Sequence, residues 1–424
     1  MLTDTKKFLI KAFKSIISDV QAESLYKKTL HRFEDTLYFR NTPLNIEPKG
    51  KLVLAGSGKA SIAMGQAFLP YLSRHSDDSL FISPFKAPET PFRVIPGDHP
   101  VPGKNSLKAG RIMRSLIGSL NEDDVLLYFL SGGSSSLMEM PVGGVNMAEI
   151  QETTHACLAR GLSIYEINTL RTALSKVKAG QLARICKATC HVFVLSDVIG
   201  NDLSIIGSGP FYPTKATPEA IAKIIDTYEL ENILPSNVIK ILSSYVMPEY
   251  QNQIPHYLIG SNMDLLQAAE TICVDHGIKP LIFPESLFGE AKQAGKMIAD
   301  MLKLYTGDKP VCMIFGGETT VTLNDQPGLG GRAQELALAT LSDLKDNPNI
   351  TVLSAGSDGM DGVGGAAGAI VSAETYQKAQ SSGLSIEEYL KNHDSYHFHK
   401  QCDSLIRTGY SGTNVGDMVL GLIS

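Results

Sequence analysis

Two glycine pairs frame the residues of this chain best suited to chemistry. Gly316 and Gly317 precede the acid Glu318, and Gly330 and Gly331 precede the base Arg332. Glycine lets backbone N–H groups approach a ligand closely, and the helical pattern after Gly331 places a helix N-terminus, which attracts anions, at that point. An arginine there grips a phosphate or carboxylate through two parallel hydrogen bonds. The expectation is an anion site, for phosphate first.

Other segments carry parts of the same kind. In GSGKAS, Gly56, Gly58 and Lys59 lie between an apolar run and a helical pattern. The loop is not a Walker A motif, because Ala60 follows Gly58-Lys59 and Val53 stands where the earlier glycine belongs. It is also a poor dinucleotide fingerprint, because Ser61 stands at the third glycine position. A lysine at a helix N-terminus opposes the helix dipole, a position that makes sense when an anion neutralises it. In SGGSSS, Ser131, Gly132, Gly133, Ser134 and Ser135 follow the apolar run VLLYFL. Small residues at the C-terminal end of a parallel strand favour a carboxylate or phosphate cradle; no G-x-S-x-G pattern supports a serine nucleophile. Asp197 ends HVFVLS, where a carboxylate can bind Mg²⁺ or accept a hydroxyl proton. Asp358 and Asp361 bracket glycines in GSDGMDG, which suits a magnesium shell or helix capping. Arg171, Lys176 and Lys178 read as a solvated helix face, and His393, His397 and His399 as solvated histidines rather than zinc ligands.

These residues need a framework. A chain of 424 residues exceeds one core and implies two domains. With 43% hydrophobic and 19% charged residues and a net charge of −6, it has no basic footprint for nucleic acid. The six scattered cysteines suit reduced, buried thiols. No signal segment or membrane-length apolar run is present, so a cytoplasmic protein without membrane partners is expected.

Residues 1–42 show helical spacing. Then strand, glycine-rich loop and helix alternate, which predicts parallel βαβ units in an α/β sheet. The pattern breaks at MPEYQNQIP, giving domains 1–247 and 248–424. Beyond it the alternation resumes, with TTVTL read as a strand and the closing MVLGLIS as a helix.

Nine motifs in order resemble those of the class II glycerate kinases, whose C-terminal half is the MOFRL domain: LVLAGSGKAS, GDHPVPGKNS, LSGGSSSL, INTLRTALSKVKAGQLA, LSDVIGNDLSIIGSGP, GGETTVTL, GLGGRAQELALA, GSDGMDGVGGAAGAIV and GTNVGDM. The resemblance implies a two-domain α/β protein, with a Rossmann-like parallel-sheet N-terminal domain, a smaller α/β C-terminal domain and the active site in the interdomain cleft. It also implies ATP- and Mg²⁺-dependent phosphorylation of D-glycerate, most often to 2-phosphoglycerate, with Lys59 and Arg332 catalytic. The chain departs from the family at Asn201 and Ser357, at Ala179 in place of a glycine, and at Tyr410 and Ser411.

In the mechanism this suggests, positioning and charge neutralisation dominate an in-line phosphoryl transfer. Lys59 and Arg332 meet the phosphates. Asp197, with Glu318 or Asp358, holds magnesium or takes the glycerate proton, and the 131–136 loop takes a carboxylate or a phosphate. Two rivals are an NAD(P)H-dependent reductase of hydroxypyruvate or tartronate semialdehyde and a non-catalytic sensor of phosphorylated sugars. The broken fingerprint and the lack of an acid ending SLFIS count against the first, the aspartates against the second. Homo-oligomer formation is left open.

Overall fold

A computed structural model describes residues 4–85, 89–213, 216–250 and 253–424. The chain forms two compact units. One comprises Tyr26–Leu195 and Asn201–Ile259. The other comprises the residues up to Leu25, Ser196–Gly200 and Gly260–Ser424. Where the sequence reading placed a single cut at 247/248, the chain passes between units at four points, the last at Ile259/Gly260.

The first unit opens with a small antiparallel sheet, β1 (Leu30–Phe33), β2 (Thr36–Phe39) and β3 (Thr42–Leu44). The helical spacing expected through residue 42 therefore stops at Thr29. The physical reason is a change of period. Thr36 is exposed while Leu37 and Phe39 are buried, and tight turns at Glu34 and Arg40, both at positive φ, reverse the chain.

Six strands follow: β4 (Leu52–Ser57), β5 (Leu80–Ser83), β6 (Arg93–Pro96), β7 (Val125–Ser131), β8 (Thr189–Leu195) and β9 (His256–Gly260). They are ordered β6-β5-β4-β7-β8-β9, and neighbours from β6 to β8 run parallel. Every residue of β4 and β7 is buried, as a sheet covered on both faces requires. On one face the helix Ser61–Phe68 sets the Phe68 ring 4.8 Å from Phe193 and 5.6 Å from Phe129. A separate apolar cluster joins the helices Met147–Ala159, Ile164–Ala173, Pro218–Thr227 and Ser236–Ser243.

The second unit holds β10 (Lys279–Leu287), β11 (Val311–Gly317), β12 (Ile350–Gly356), β13 (Gly368–Ser372), β14 (Leu405–Ile406) and β15 (Asp417–Ile423), ordered β10-β11-β15-β12-β13-β14. Only β10 and β11 pair in parallel; the other neighbours are antiparallel. The closing segment, expected to be helical, is thus a central strand. Seven consecutive buried residues carry no period that separates strand from helix, and they are too few for a buried helix. TTVTL, expected as a strand, contributes only a bridge from Thr320 to Glu290. The helix Arg332–Leu344 is buried almost throughout and forms the centre of this unit's core.

The N-terminal helix Thr5–Asp19 and the residues just after it belong here, as their contacts show. Phe8 meets His276 edge-on at 5.1 Å, the Thr413 hydroxyl donates to the Val20 carbonyl at 2.7 Å, and Gln21 donates to the Ser411 carbonyl at 3.0 Å. Among the described residues, no helix is long and apolar enough to cross a membrane.

Candidate functional site

In the parallel sheet, strand order reverses between β4 and β7: β5 and β6 lie to one side of β4, β8 and β9 beyond β7. The carboxyl ends of strands at such a point leave a crevice that binds ligands in open α/β sheets. The loops after β4 and β7 both open there, and they are tied together. The Lys59 N–H donates to the Gly132 carbonyl at 2.9 Å and the Ala60 N–H to Ser131 Oγ at 2.9 Å. Ser57 Oγ shares hydrogen bonds with Ser134 Oγ and, at 2.6 Å, with Tyr128 Oη.

This tie divides the predicted cradle. Ser131 and Ser134 are buried and spend their hydroxyls on the framework. Gly56 lies inside β4, where a Cβ would stand 2.8 Å from the Phe129 carbonyl and from the Phe81 ring; its glycine serves sheet packing rather than a ligand. Gly58, at φ +126°, passes too close to Ser131 for a side chain. Gly133, at φ +83°, and Ser135 keep part of their surface open. A Cβ at Gly133 would come within 3.3 Å of both the Lys59 side chain and the His99 ring. Lys59, His99 and the 133–135 turn are therefore one constellation, and sequence reasoning gave His99 no role.

The charge cluster at 171–178 is not the solvated face that was expected. Lys178 is 1% exposed and paired with the fully buried Glu139. Burial pushes Lys178 down to about 8, against the pull of Glu139 and with the added repulsion of Arg171. Ser175 Oγ donates to Glu139 Oε1 at 2.6 Å. The signal lay in sequence separation: Glu139 is 39 residues from Lys178, and no local pattern links them.

In the other unit, Arg332 is the first residue of its helix, with Gly331 capping. Its Nε donates to Asp417 Oδ2 at 2.6 Å and its Nη2 to Asp417 Oδ1 at 3.1 Å, while Nη1 pairs with Glu318. Burial disfavours the charge, but Asp417, Glu318 and, beyond them, Asp361 reverse that effect and raise the guanidinium well above its ordinary value. About a third of the side chain (34%) still faces solvent.

The helix N-terminus expected to bind phosphate is filled by the protein's own carboxylate. Asp361 accepts from the Ala333 N–H at 3.0 Å and the Gln334 N–H at 2.8 Å. Burial and the charge of Asp417 push Asp361 up to about 6, against those donors. Gly330 and Gly331 are glycines for the same reason: side chains there would strike Ser395 and Asp361. At Gly316 a side chain would strike Asn262, and at Gly317, φ +137°, the Leu287 carbonyl. At all four positions packing alone accounts for the missing side chain.

Asp197 Oδ2 accepts from Asn414 Nδ2 at 2.7 Å. Asp358 is buried, and its Oδ1 accepts from the Met360 N–H at 2.9 Å. A Cβ at Gly356 would stand 3.4 Å from Asp358 Oδ1 and 3.2 Å from Asp417 Oδ1, so these two carboxylates flank the end of β12. In the sequence Asp417 appears only within the motif GTNVGDM, with no role assigned to it. Among the described residues, no three His, Cys, Asp or Glu side chains converge to hold a metal ion, so Asp197, Glu318 and Asp358 do not form a ready-made metal cage. Their carboxylate oxygens do fit magnesium, which takes one or two carboxylates plus substrate phosphates.

The histidines also differ from expectation. His399 is fully buried, donating Nε2–H to the Gln334 carbonyl at 2.9 Å and accepting from Ser404 Oγ at 2.8 Å on Nδ1. His393 pairs with Glu335 at 3.0 Å.

Two family profiles match the chain: a domain of unknown function, DUF4147, over residues 8–243, and the MOFRL family over residues 311–417. The D-glycerate 2-kinase of Thermotoga maritima is 36% identical over 99% of this chain and 98% of its own length. A protein of Agrobacterium vitis named putative hydroxypyruvate reductase is 32% identical over 87% of this chain and 98% of its own. The crystal structure of glycerate kinase from Thermotoga maritima superposes with a TM-score of 0.83 at 35% identity, covering 99% of both chains.

Proposed function

This chain belongs to the class II glycerate kinase family, and on that premise we propose that it transfers the γ-phosphoryl group of ATP to D-glycerate, giving ADP and 2-phosphoglycerate. The observation that carries the proposal is the pair of stitched loops at the strand-order reversal. They set Lys59 and His99 against the open turn at Gly133. A compact cation beside a partly open turn of small residues suits phosphate oxygens.

In the step proposed, the C2 hydroxyl oxygen of glycerate bonds to the γ-phosphorus as the bond to the β–γ bridging oxygen breaks. The hydroxyl proton passes to a carboxylate, and ADP leaves. Lys59 neutralises phosphate charge. Arg332, held in orientation by its two bonds to Asp417, contacts the phosphoryl oxygens. Asp197, oriented by Asn414, takes the proton or binds magnesium, with Glu318 or Asp358 as further magnesium ligands. Magnesium held by these carboxylates would supply neutralisation of phosphate charge.

The name of the Agrobacterium relative raises a reductase as the competing reading. In nucleotide-binding sheets that take NAD, an acid near the end of the second strand holds the ribose. Here β5 ends at Ser83, whose hydroxyl accepts from the Phe85 N–H. The test is a pair of assays on one preparation: ADP release with ATP, Mg²⁺ and D-glycerate, and NADH oxidation with hydroxypyruvate. Glycerate-dependent ADP release without NADH oxidation supports the kinase; the opposite pattern refutes it. A cytoplasmic setting is proposed on the reduced state of the six cysteines, none of which is in a disulfide.

A further inference from the structure

Arg171 lies in the last turn of the helix Ile164–Ala173 and points toward the open turn of the candidate site. Its Nη2 donates to the Ser135 carbonyl over a long 3.5 Å. Its Nε is sealed from solvent and has no hydrogen-bond partner among the described residues. The nearby acid is already committed. Glu139 Oε1 accepts from Ser175 Oγ at 2.6 Å and from the Met140 N–H at 3.0 Å, and Oε2 is paired with Lys178. Glu139 and Lys178 neutralise each other, which leaves the positive charge of Arg171 in excess.

Such a charge is costly unless an anion arrives. Burial lowers the proton affinity of Arg171, with Glu139 acting in the opposite direction. The planar guanidinium fork matches a carboxylate through two parallel hydrogen bonds. One excess charge also balances one carboxylate, whereas a triphosphate tail requires several cations. At the other end of the same turn, Gly133 faces Lys59 and His99. A three-carbon hydroxy acid laid along residues 133–135 thus meets a carboxylate partner at one end and a phosphate partner at the other.

We infer that Arg171 anchors the substrate carboxylate against the 133–135 turn, a role that rests on the glycerate kinase reading above. It makes Arg171 the residue that distinguishes glycerate from uncharged polyols.

The test compares Arg171→Gln and Arg171→Lys with the unaltered protein. Losing a charge-assisted pair raises KM for D-glycerate by roughly 10- to 100-fold, while kcat and KM for ATP hold, and Arg171→Lys recovers part of the loss. The melting temperature of Arg171→Gln stays level or rises, because an uncompensated buried charge has been removed. An unchanged KM for glycerate, a rise confined to ATP, or a fall in melting temperature that accounts for the lost activity overturns the inference. If the unaltered protein shows no glycerate-dependent ADP release, the kinase reading itself has failed. The anchor is then decided by NMR titration with D-glycerate: binding to the unaltered protein but not to Arg171→Gln supports it, and binding to both or to neither overturns it.

Discussion

Replacing Arg332 with alanine separates what this guanidinium holds from what it does. It makes two hydrogen bonds to Asp417, which is 7% exposed, and one ion pair with Glu318, which is 37% exposed. Removing it strands the Asp417 carboxylate beside Asp361, a second buried acid. Breaking a buried pair from one side costs about 3–5 kcal/mol; the partly solvated Glu318 adds little. At about 2–4 °C per kcal/mol for a unit of this size, the melting temperature falls by roughly 10 °C. Adding Asp417→Asn removes the stranded charge and returns most of that stability. Turnover behaves differently. A transition-state arginine is worth on the order of 10³-fold or more in rate, so both the single and the double variant stay inactive. Thermal melts and glycerate-dependent ADP release on the same samples check both parts. An Arg332→Ala variant that melts like the unaltered protein refutes the energetic argument. A double variant that regains turnover with its stability shows that Arg332 is scaffold and refutes the catalytic one.

Further predictions concern groups away from that cluster. Lys178→Met removes the ion-pair partner of the buried Glu139 and leaves Arg171 as the nearby cation. Urea denaturation should therefore show a loss of up to about 3 kcal/mol, most of it recovered by adding Glu139→Gln; an unchanged midpoint in the single variant contradicts the pairing. Burial holds His399 at about 4, with the Gln334 carbonyl opposing the shift. Its folded value therefore lies below its unfolded one, so its contribution is present above pH 6.5 and is lost as pH falls toward 4, by roughly 3 kcal/mol at most. His399→Gln should flatten stability across that window, and parallel curves for the two proteins contradict the assignment. Ala179 sits at φ +51°, a left-handed conformation that costs a residue bearing Cβ about 1–2 kcal/mol. Ala179→Gly should raise stability by about 0.5–1 kcal/mol in urea melts, and a loss would show that the position is not strained.

The legible parts of this molecule were those written in local pattern. The alternation of apolar runs with glycine loops and amphipathic helices gave the strands β4 to β8 and their order along the chain, and it located the loops carrying Lys59 and Ser131. Hydrophobic runs do not encode strand direction. The antiparallel pairing of β11 and β12 with β15, and the identity of β15 itself, therefore stayed hidden until its two neighbours were in place. Site residues followed the same rule. Arg332 and Lys59 announce themselves by standing next to glycines. Asp417, 85 residues beyond Arg332, and Glu139, 39 residues before Lys178, act only through tertiary contact. The glycine pairs misled in one respect: the helix N-terminus at Arg332 is indeed an anion site, but the anion is Asp361.

The account stands or falls on whether phosphorus moves from a nucleotide to glycerate. Phosphorus NMR of a reaction containing the protein, ATP, Mg²⁺ and D-glycerate follows that transfer directly. The account predicts loss of the ATP γ-phosphate signal, growth of ADP, and one new phosphomonoester resonance that coincides with added 2-phosphoglycerate. A spectrum with no new phosphomonoester, or with ADP balanced only by inorganic phosphate, contradicts it.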